Sequence, residues 1–388
     1  MDNQYDLLIL GGGCAGLSLA KRLAALGPSA PRTLILEKRS AYSHDRTWCF
    51  WETSDLSVGH LVSHRWDLFR VSAQGRSVSL ECSQTPYQMI PAQAFYDEAL
   101  CQIAQSQRLR ISLGVDIAGP PEACRGGWEI ATPGGSVWAS AVVDTRPGSL
   151  PARGGATLWQ SFYGEEILCD GDLFDATMVD LMDFLEVENE KIRFLYLLPL
   201  SSRKALLEIT VFGPDPLESQ VLRPILQQLL AKRVSPFKYS VIRSESGILP
   251  MGVRPASRLL DPTYVKAGLF AGGARPSTGY AFVRIQRWAQ ACCESLSRGE
   301  GAIPHAADPF LLRGMDRLFL SVLRAHPDLA PQLFLALFTQ TATPKLIRFL
   351  SDRGCLLDYF SIALALPPLL FLRQLLKTLQ NFAPLGGA

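Results

Sequence analysis

The stretch Tyr5-Asp6-Leu7-Leu8-Ile9-Leu10-Gly11-Gly12-Gly13-Cys14-Ala15-Gly16, followed by Leu17 to Leu26, decides the fold. Apolar residues on both faces of the first run read as a fully buried parallel strand. The strand enters a G-x-G-x-x-G turn. Gly11 makes the tight turn, Gly13 lets the backbone approach a pyrophosphate, and Gly16 allows helix and strand to pack closely. Leu17 to Leu26 continues as an amphipathic helix closed by Gly27, and the amides around Cys14 and Ala15 sit at its positive end, where phosphates bind. A second strand, Thr33 to Leu36, ends at Glu37, which is placed to accept from ribose hydroxyls, with Lys38 beside it. Strand, glycines, helix, strand and acid in this order define a dinucleotide-binding unit. NAD and FAD are not separated by these residues.

The rest of the composition sets bounds. A chain of 388 residues predicts two interleaved domains, or one large α/β unit with an added subdomain. Hydrophobic residues make up 48% and charged residues 19%, so a large core forms and global disorder is excluded. A formal net charge of +2, without long Lys/Arg runs, lacks the footprint of a nucleic-acid binder. The nine cysteines contain no CxxC pair and no zinc-type spacing with the five histidines. Neither a disulfide framework nor a metal site is expected, and a reducing compartment fits. Met1 to Tyr5 has no basic region, so no signal peptide is expected. Tyr359 to Leu372, the most apolar run, is too short to cross a bilayer and is interrupted by Pro367-Pro368.

Further along, the pattern predicts a helix over 90–104 with Pro91 near its first turn, and short strands at 109–113 and 128–131. Ala141 to Arg146 reads as a returning buried strand and 158–211 as mainly strands. Helices are expected over 216–232 and 276–296. Ala267 to Ala274 reads as a strand followed by a second glycine-rich turn. Beyond Pro304 the chain turns helical, with starts at Asp308-Pro309 and Thr343-Pro344. Apolar residues nearly encircle these segments. They form a buried bundle, or present one face to lipid or to a large apolar ligand.

Several segments together carry a resemblance. They are Asp45-Arg46-Thr47-Trp48-Cys49-Phe50-Trp51, Val143-Asp144-Thr145-Arg146-Pro147, Trp159-Gln160-Ser161-Phe162, Met182-Asp183-Phe184 and Phe194 to Leu200. Leu207-Glu208-Ile209-Thr210, Gly247 to Met251 and Arg275-Pro276-Ser277-Thr278-Gly279-Tyr280 complete the set. In this order, over nearly the whole chain, they resemble the bacterial lycopene cyclase family of flavoproteins. The resemblance implies a Rossmann-type FAD-binding domain of the aromatic-hydroxylase kind, a β-rich substrate domain and a C-terminal helical part. It implies FAD in its reduced form, NADPH or NADH as reductant, and no net redox chemistry on the substrate. The substrate would be a long polyene hydrocarbon whose acyclic ψ end is protonated, closes as a carbocation and loses a proton to give a β-ring. Such a substrate places the enzyme peripherally on the cytoplasmic membrane, and Arg348, Arg373 and Lys377 beside apolar helices are consistent with a monotopic contact.

Glu208 falls where the resemblance puts the acid/base carboxylate. An alkene is a poor base, so its donor must be a protonated acid, and apolar surroundings keep a carboxylic acid neutral near pH 7. Leu206, Leu207, Ile209 and Val211 supply them. Two departures stand out: Ile209 occupies a position where many members carry a second acid, and Glu165 one where an aromatic is common. Glu165 and Glu166 are second-tier catalytic candidates. Trp48, Phe50 and Trp51 are candidates for lining a polyene tunnel, where ring faces stabilise a cation. For the cofactor the candidates are Gly11, Gly13, Cys14, Ala15, Gly16, Glu37, Lys38, Arg46, Gly272, Gly273, Pro276, Thr278 and Gly279. Gly272 and Gly273 would bring a helix starting at Pro276 toward the flavin, its dipole stabilising an anionic reduced ring. No acid stands near that turn, where family members often have one.

The expected domains are 1–75, 87–150 and 245–300 for FAD, 151–244 for the substrate and 301–388 for the helical region. Alternatives of the same fold are a flavin-dependent monooxygenase or halogenase and a cyclase of another isoprenoid. A carotenoid or isoprenoid carrier is the non-enzyme alternative.

Overall fold

The computed structural model describes residues 4–52, 58–117, 119–148, 156–253 and 261–380. The residues Met1 to Asn3, on which the signal-peptide expectation partly rests, lie outside that set. The chain begins with β1 (Gln4–Leu10), α1 (Cys14–Ala24) and β2 (Thr33–Leu36). Next come β3 (Thr47–Trp51), β4 (His64–Trp66), the hairpin β5 (Leu68–Ala73) and β6 (Arg76–Glu81), β7 (Tyr87–Pro91) and α2 (Ala92–Gln105). β8 (Leu109–Ser112), β9 (Glu122–Cys124), β10 (Gly127–Thr132) and β11 (Gly135–Asp144) close the first part. β12 (Leu158–Cys169), β13 (Met178–Phe184), β14 (Ile192–Pro199), β15 (Lys204–Gly213), α3 (Ser219–Arg233) and β16 (Tyr239–Met251) follow.

The first sheet runs β8-β2-β1-β11-β10-β9, with β17 (Tyr264–Lys266) added beside β11. Its β8, β2, β1, β11 and β17 are parallel, and Leu7, Leu8, Ile9 and Leu10 are essentially inaccessible, as a strand covered on both faces requires. α1 and α4 (Phe282–Ser297) pack together on one side. The second sheet, β16-β12-β15-β14-β13-β5-β6, is antiparallel except where β5 meets β13. β3, β7 and β4 form a small third sheet.

Five helices end the described chain: α5 (Phe310–Ala325), α6 (Ala330–Gln340), α7 (Thr343–Leu350), α8 (Leu356–Leu364) and α9 (Pro368–Gln380). Their inner residues, among them Leu320, Leu333, Phe338, Leu346 and Ile362, share one core with Phe69, Val179, Leu206 and Phe212 of the second sheet. The buried-bundle reading therefore holds for part of this region. α6 and α7 are largely buried, whereas α8 and α9 also expose Leu356, Leu357, Phe360, Leu364, Leu369, Leu372 and Leu376. No single described helix is long and apolar enough to cross a membrane; α8 and α9 pass such a test only as a pair bent by 104°.

Three expectations need correction. The hairpin 68–81 and the whole of 239–251 belong to the second sheet, so the boundaries at 75 and 245 cut across it. Strand pairing between β5 and β13 spans more than a hundred residues and leaves no local mark in either segment. The strand expected to open the 267–274 stretch, ahead of its glycine-rich turn, lies earlier and ends at Lys266. The helix expected from Pro276 begins at Phe282, because Gly279 adopts φ +72°, a left-handed conformation that interrupts a helix. Residues 275–280 instead form a turn closed by Gly279 N–H to Arg275 O (2.9 Å) and Arg275 N–H to Tyr280 O (3.0 Å).

Candidate active site

The glycine turn is built as its residue types require. Gly11 sits at φ +90°, and a Cβ on Gly16 would come within 2.0 Å of the Gly11 carbonyl oxygen. The space around a Cβ on Gly13 is open. The N-terminus of α1 has no side-chain cap and no acid in its first turn, so its amides are left for an anion. Glu37 at the end of β2 is buried and accepts from the Gly12 amide and from the Arg39 amide and Nε, which together hold its carboxyl below the usual range despite burial. Thr145, just after β11, donates its hydroxyl to Leu10 O (2.9 Å) and Gly11 O (2.8 Å) and braces the turn.

From this turn a cavity of about 700 Å³ extends toward the second sheet and the C-terminal helices. At one end it is lined by Gly13, Cys14, Ala15, Arg39, Asp45, Arg46 and Gly268, and further in by Trp48, Thr278, Gly279 and Tyr280. Its other end is formed by apolar residues of the second sheet and the helices, including Phe162, Phe194, Leu206, Phe212, Met315, Phe319, Phe334 and Phe338. Ala363 of α8 and Pro147, both exposed, are among the lining residues.

Strand alternation sorts the side chains of the second sheet. Gln160, Phe162, Leu206, Glu208, Thr210, Phe212, Phe194 and Tyr196 line the cavity. Tyr163, Ile167, Leu207, Ile209, Val211, Leu195 and Leu197 form a separate core with Leu222, Leu226 and Leu230 of α3. Glu208 is therefore delivered to the cavity by a strand that is otherwise apolar. Burial first, and then the negative charge of Glu245, raise its carboxyl to about 8; the Thr210 hydroxyl, donating at 2.7 Å, and Arg46 oppose the rise. Its remaining accessibility is to the cavity that it lines. Around it stand neutral phenols: Tyr196 shares a hydrogen bond with Tyr87 (2.9 Å), and burial pushes both well above the ordinary tyrosine range.

Glu245 is the acid that sequence reasoning missed. It lies on β16, opposite Gly164, which in turn lies opposite Glu208. Its carboxylate accepts from the Thr47 hydroxyl (2.7 Å) and from Arg243. Nothing local in Ser244-Glu245-Ser246 marks it; only the β12–β16 register puts it on the cavity face.

The other candidates divide. Cys14 and Ala15 line the cavity beside Gly13, while Gly11 and Gly16 shape the turn behind it. Arg46 and Trp48 line it too, and Trp48 stacks on Phe282 at 5.0 Å. Lys38 does not: it is three-quarters exposed and pairs with Asp116 at 2.8 Å, and its neighbour Arg39 takes the cavity position. Gly272 and Gly273 pack against His305, one turn past the cavity wall, and Gly268, with φ +91°, is the glycine that faces the dinucleotide turn. Pro276 is absent from the wall, whereas Ser277, Thr278 and Gly279 belong to it. Arg275 and Ser277 fix that loop by binding Asp316 of α5, at 3.0 and 2.7 Å.

Phe50 and Trp51 are core residues and do not line the cavity. Glu165 faces α3, where it accepts from Tyr163 (2.9 Å) and lies 3.9 Å from Arg223, because odd positions of β12 point away from Glu208. Ile209 is on that same far face, so an acid there would not share the cavity with Glu208. Glu166 is on the cavity side of the sheet but is tied by Lys204 (2.6 Å) and Arg243 (2.6 Å), which hold its carboxyl below the usual range against the effect of burial.

A glycine-rich nucleotide-type turn and a buried carboxyl raised to about 8 thus share one largely apolar cavity in a mixed α/β protein with a C-terminal helical region. The fold is that of a p-nitrophenol 4-monooxygenase from Pseudomonas putida DLL-E4, with a TM-score of 0.59 at 14% identity over 98% of each chain. Residues 6–376 match the lycopene cyclase protein family, and the chain belongs to it. A lycopene beta-cyclase of Pseudescherichia vulneris is 27% identical over 306 residues, 75% of this chain and 74% of that one. Another from Paracoccus sp. (strain N81106 / MBIC 01143) is 27% identical over 289 residues, 71% of this chain and 70% of that one.

Proposed function

We propose that this chain binds FAD across the glycine turn and cyclises the ψ end groups of lycopene, or of a related acyclic carotenoid, to β-rings without net redox change. The observation that carries the reading is Glu208, a carboxyl raised to about 8 inside an apolar cavity continuous with the dinucleotide turn. The α1 amides, with Arg39 and Arg46 nearby, would hold the pyrophosphate, and Glu37 the ribose. Reduced flavin, formed with NADPH or NADH, supplies an electron-rich ring that favours nearby positive charge. Glu208 gives its proton to the terminal alkene, the carbocation closes onto the neighbouring double bond, and a ring proton returns to a carboxylate. Trp48, Tyr196 and Tyr280 line the cavity, where a ring face turned to the cation would be worth roughly 1–2 kcal/mol when desolvated. The apolar end, from Phe162 to Phe338, receives the polyene and excludes water.

Expression in a lycopene-accumulating bacterium, followed by pigment analysis, tests the reading: yellow cyclic carotenoid supports it, and pigment that stays lycopene refutes it. The fold shared with a monooxygenase supports a second reading, oxygen-dependent hydroxylation or halogenation. A cyclase turns over anaerobically once its flavin is reduced; a strict need for oxygen and an oxygenated or halogenated product would favour the alternative. Retention of a bound carotenoid without any product would favour a carrier.

We also propose that α8 and α9 rest on the cytoplasmic face of the membrane. Phe360, Leu364 and Leu369 are each more than 60% exposed on the helices that also carry the cavity-lining Ala363, and Arg373 and Lys377 lie on the same hairpin. Arg348 adds less to such a surface, being paired with Asp358 at 2.6 Å. Flotation with anionic phospholipid vesicles should retain the wild type and lose Phe360→Glu/Leu364→Glu; equal flotation of both would dismiss the contact.

A further inference from the structure

We propose that Glu245 is a positioning residue of this site: an anchored anion that holds the Glu208 carboxyl in its proton-donating form. The two acids are brought together by register. Glu208 on β15 faces Gly164 on β12, and Gly164 faces Glu245 on β16, so the acids flank a residue that has no side chain. A Cβ at Gly164 would stand 3.2 Å from that of Glu208, and its absence leaves no side chain at the position between the two acids. Both line the same cavity.

The two acids differ in their company. Glu245, only 6% exposed, accepts from the Thr47 hydroxyl and from the Arg243 guanidinium, which is held in turn by Glu166. Glu208 accepts from the neutral hydroxyl of Thr210. Two carboxylates in a shared apolar space do not both ionise readily, so the proton settles on the one without a cation against it. Burial pushes Glu245 up as well, but Arg243 and Thr47 pull it back. The other groups facing Glu208 do not change this ordering. Arg46, in the loop before β3, acts on both acids, whereas the Cys49 thiol, raised to about 12 by burial, and the Tyr196 phenol stay neutral. Behind Arg243, Glu166 and Lys204 pair with each other, and burial lowers His44.

This inference rests on the cyclase reading, so wild-type pigment formation is the first arm of the test and infrared titration, which needs no turnover, is the second. In FAD-loaded Glu245→Gln, Arg243 keeps Glu166 as its partner; bound flavin and circular dichroism check the fold. The alkaline limb of kcat/KM should move down by about one to two pH units, with activity at pH 8 falling about five- to fiftyfold while activity at pH 6 stays within a few-fold of wild type. Glu245→Asp, which keeps the charge, should restore the limb toward its wild-type position. The infrared band of the protonated carboxyl, assigned by its loss in Glu208→Gln, should disappear at correspondingly lower pH in Glu245→Gln. If that variant does not fold, Thr47→Val, which removes one anchor, should give a smaller displacement in the same direction. An unmoved limb and an unmoved band overturn the proposal. Absence of cyclic product from the wild type overturns the cyclase reading instead, and the band still decides whether Glu245 sets the protonation of Glu208.

Discussion

The two faces of the second sheet are made by the same strands, yet they carry opposite kinds of buried acid. On one face Glu208 meets open space, tyrosine rings and a second carboxyl, and its proton is retained to about 8. On the other, Glu165 is packed under α3 with Tyr163 as donor and Arg223 at 3.9 Å. Burial alone therefore does not make an acid useful. What separates the two is the presence of a space in which a substrate can sit, and a one-residue step along a strand decides which acid receives it.

This contrast is open to test, beginning with the substitution of greatest expected effect. Glu208→Gln keeps size and hydrogen bonding but removes the proton donor; turnover should fall by about 10²–10⁴ or more with flavin content unchanged, measured as cyclised product per bound FAD. The same assay on the wild type should show activity declining above about pH 8, since the acid works only while protonated. Leu226→Ala on α3 touches the far face and should cost about 2–5 kcal/mol of stability by thermal or denaturant unfolding, with product per folded molecule unchanged. Gly164→Ala inserts a methyl group 3.2 Å from the Glu208 Cβ and should lower turnover about tenfold, about 1.4 kcal/mol in barrier, by displacing that carboxyl. Glu165→Gln should be the quietest change, with turnover within about twofold of wild type and stability within about 1 kcal/mol, because the amide can still accept from Tyr163. A loss of turnover with Glu165→Gln comparable to that with Glu208→Gln would break the comparison.

How far these arrangements were legible in the sequence follows from the range of the interactions. The Gly11 to Glu37 unit was readable because each residue's task is set by the backbone within a few positions. Glu208 was readable from its apolar alternation together with the family resemblance. Glu245 was not, because its place on the cavity face depends on pairing with β12, some eighty residues earlier. Lys38 and Arg39 show a smaller version of the same difficulty: both follow a strand end, and only tertiary packing turns one to solvent and the other to the cavity. Pro276 resembled a helix start, but the positive φ of Gly279 three residues later postpones the helix to Phe282. The departure at Ile209 also changes meaning, since the far face of β15 never meets the cavity.

Arg275 has a consequence for dissecting the molecule. Its guanidinium is fully buried and is neutralised by Asp316 across the start of the C-terminal helices. Cutting the gene after residue 300 would remove its partners Asp316, Asp352 and Phe349, and would also expose the face of the second sheet that shares a core with the helices. The helical end is thus no detachable appendage: shortened versions made to improve expression or remove the greasy hairpin should retain at least α5, or they will forfeit the loop that walls the flavin side.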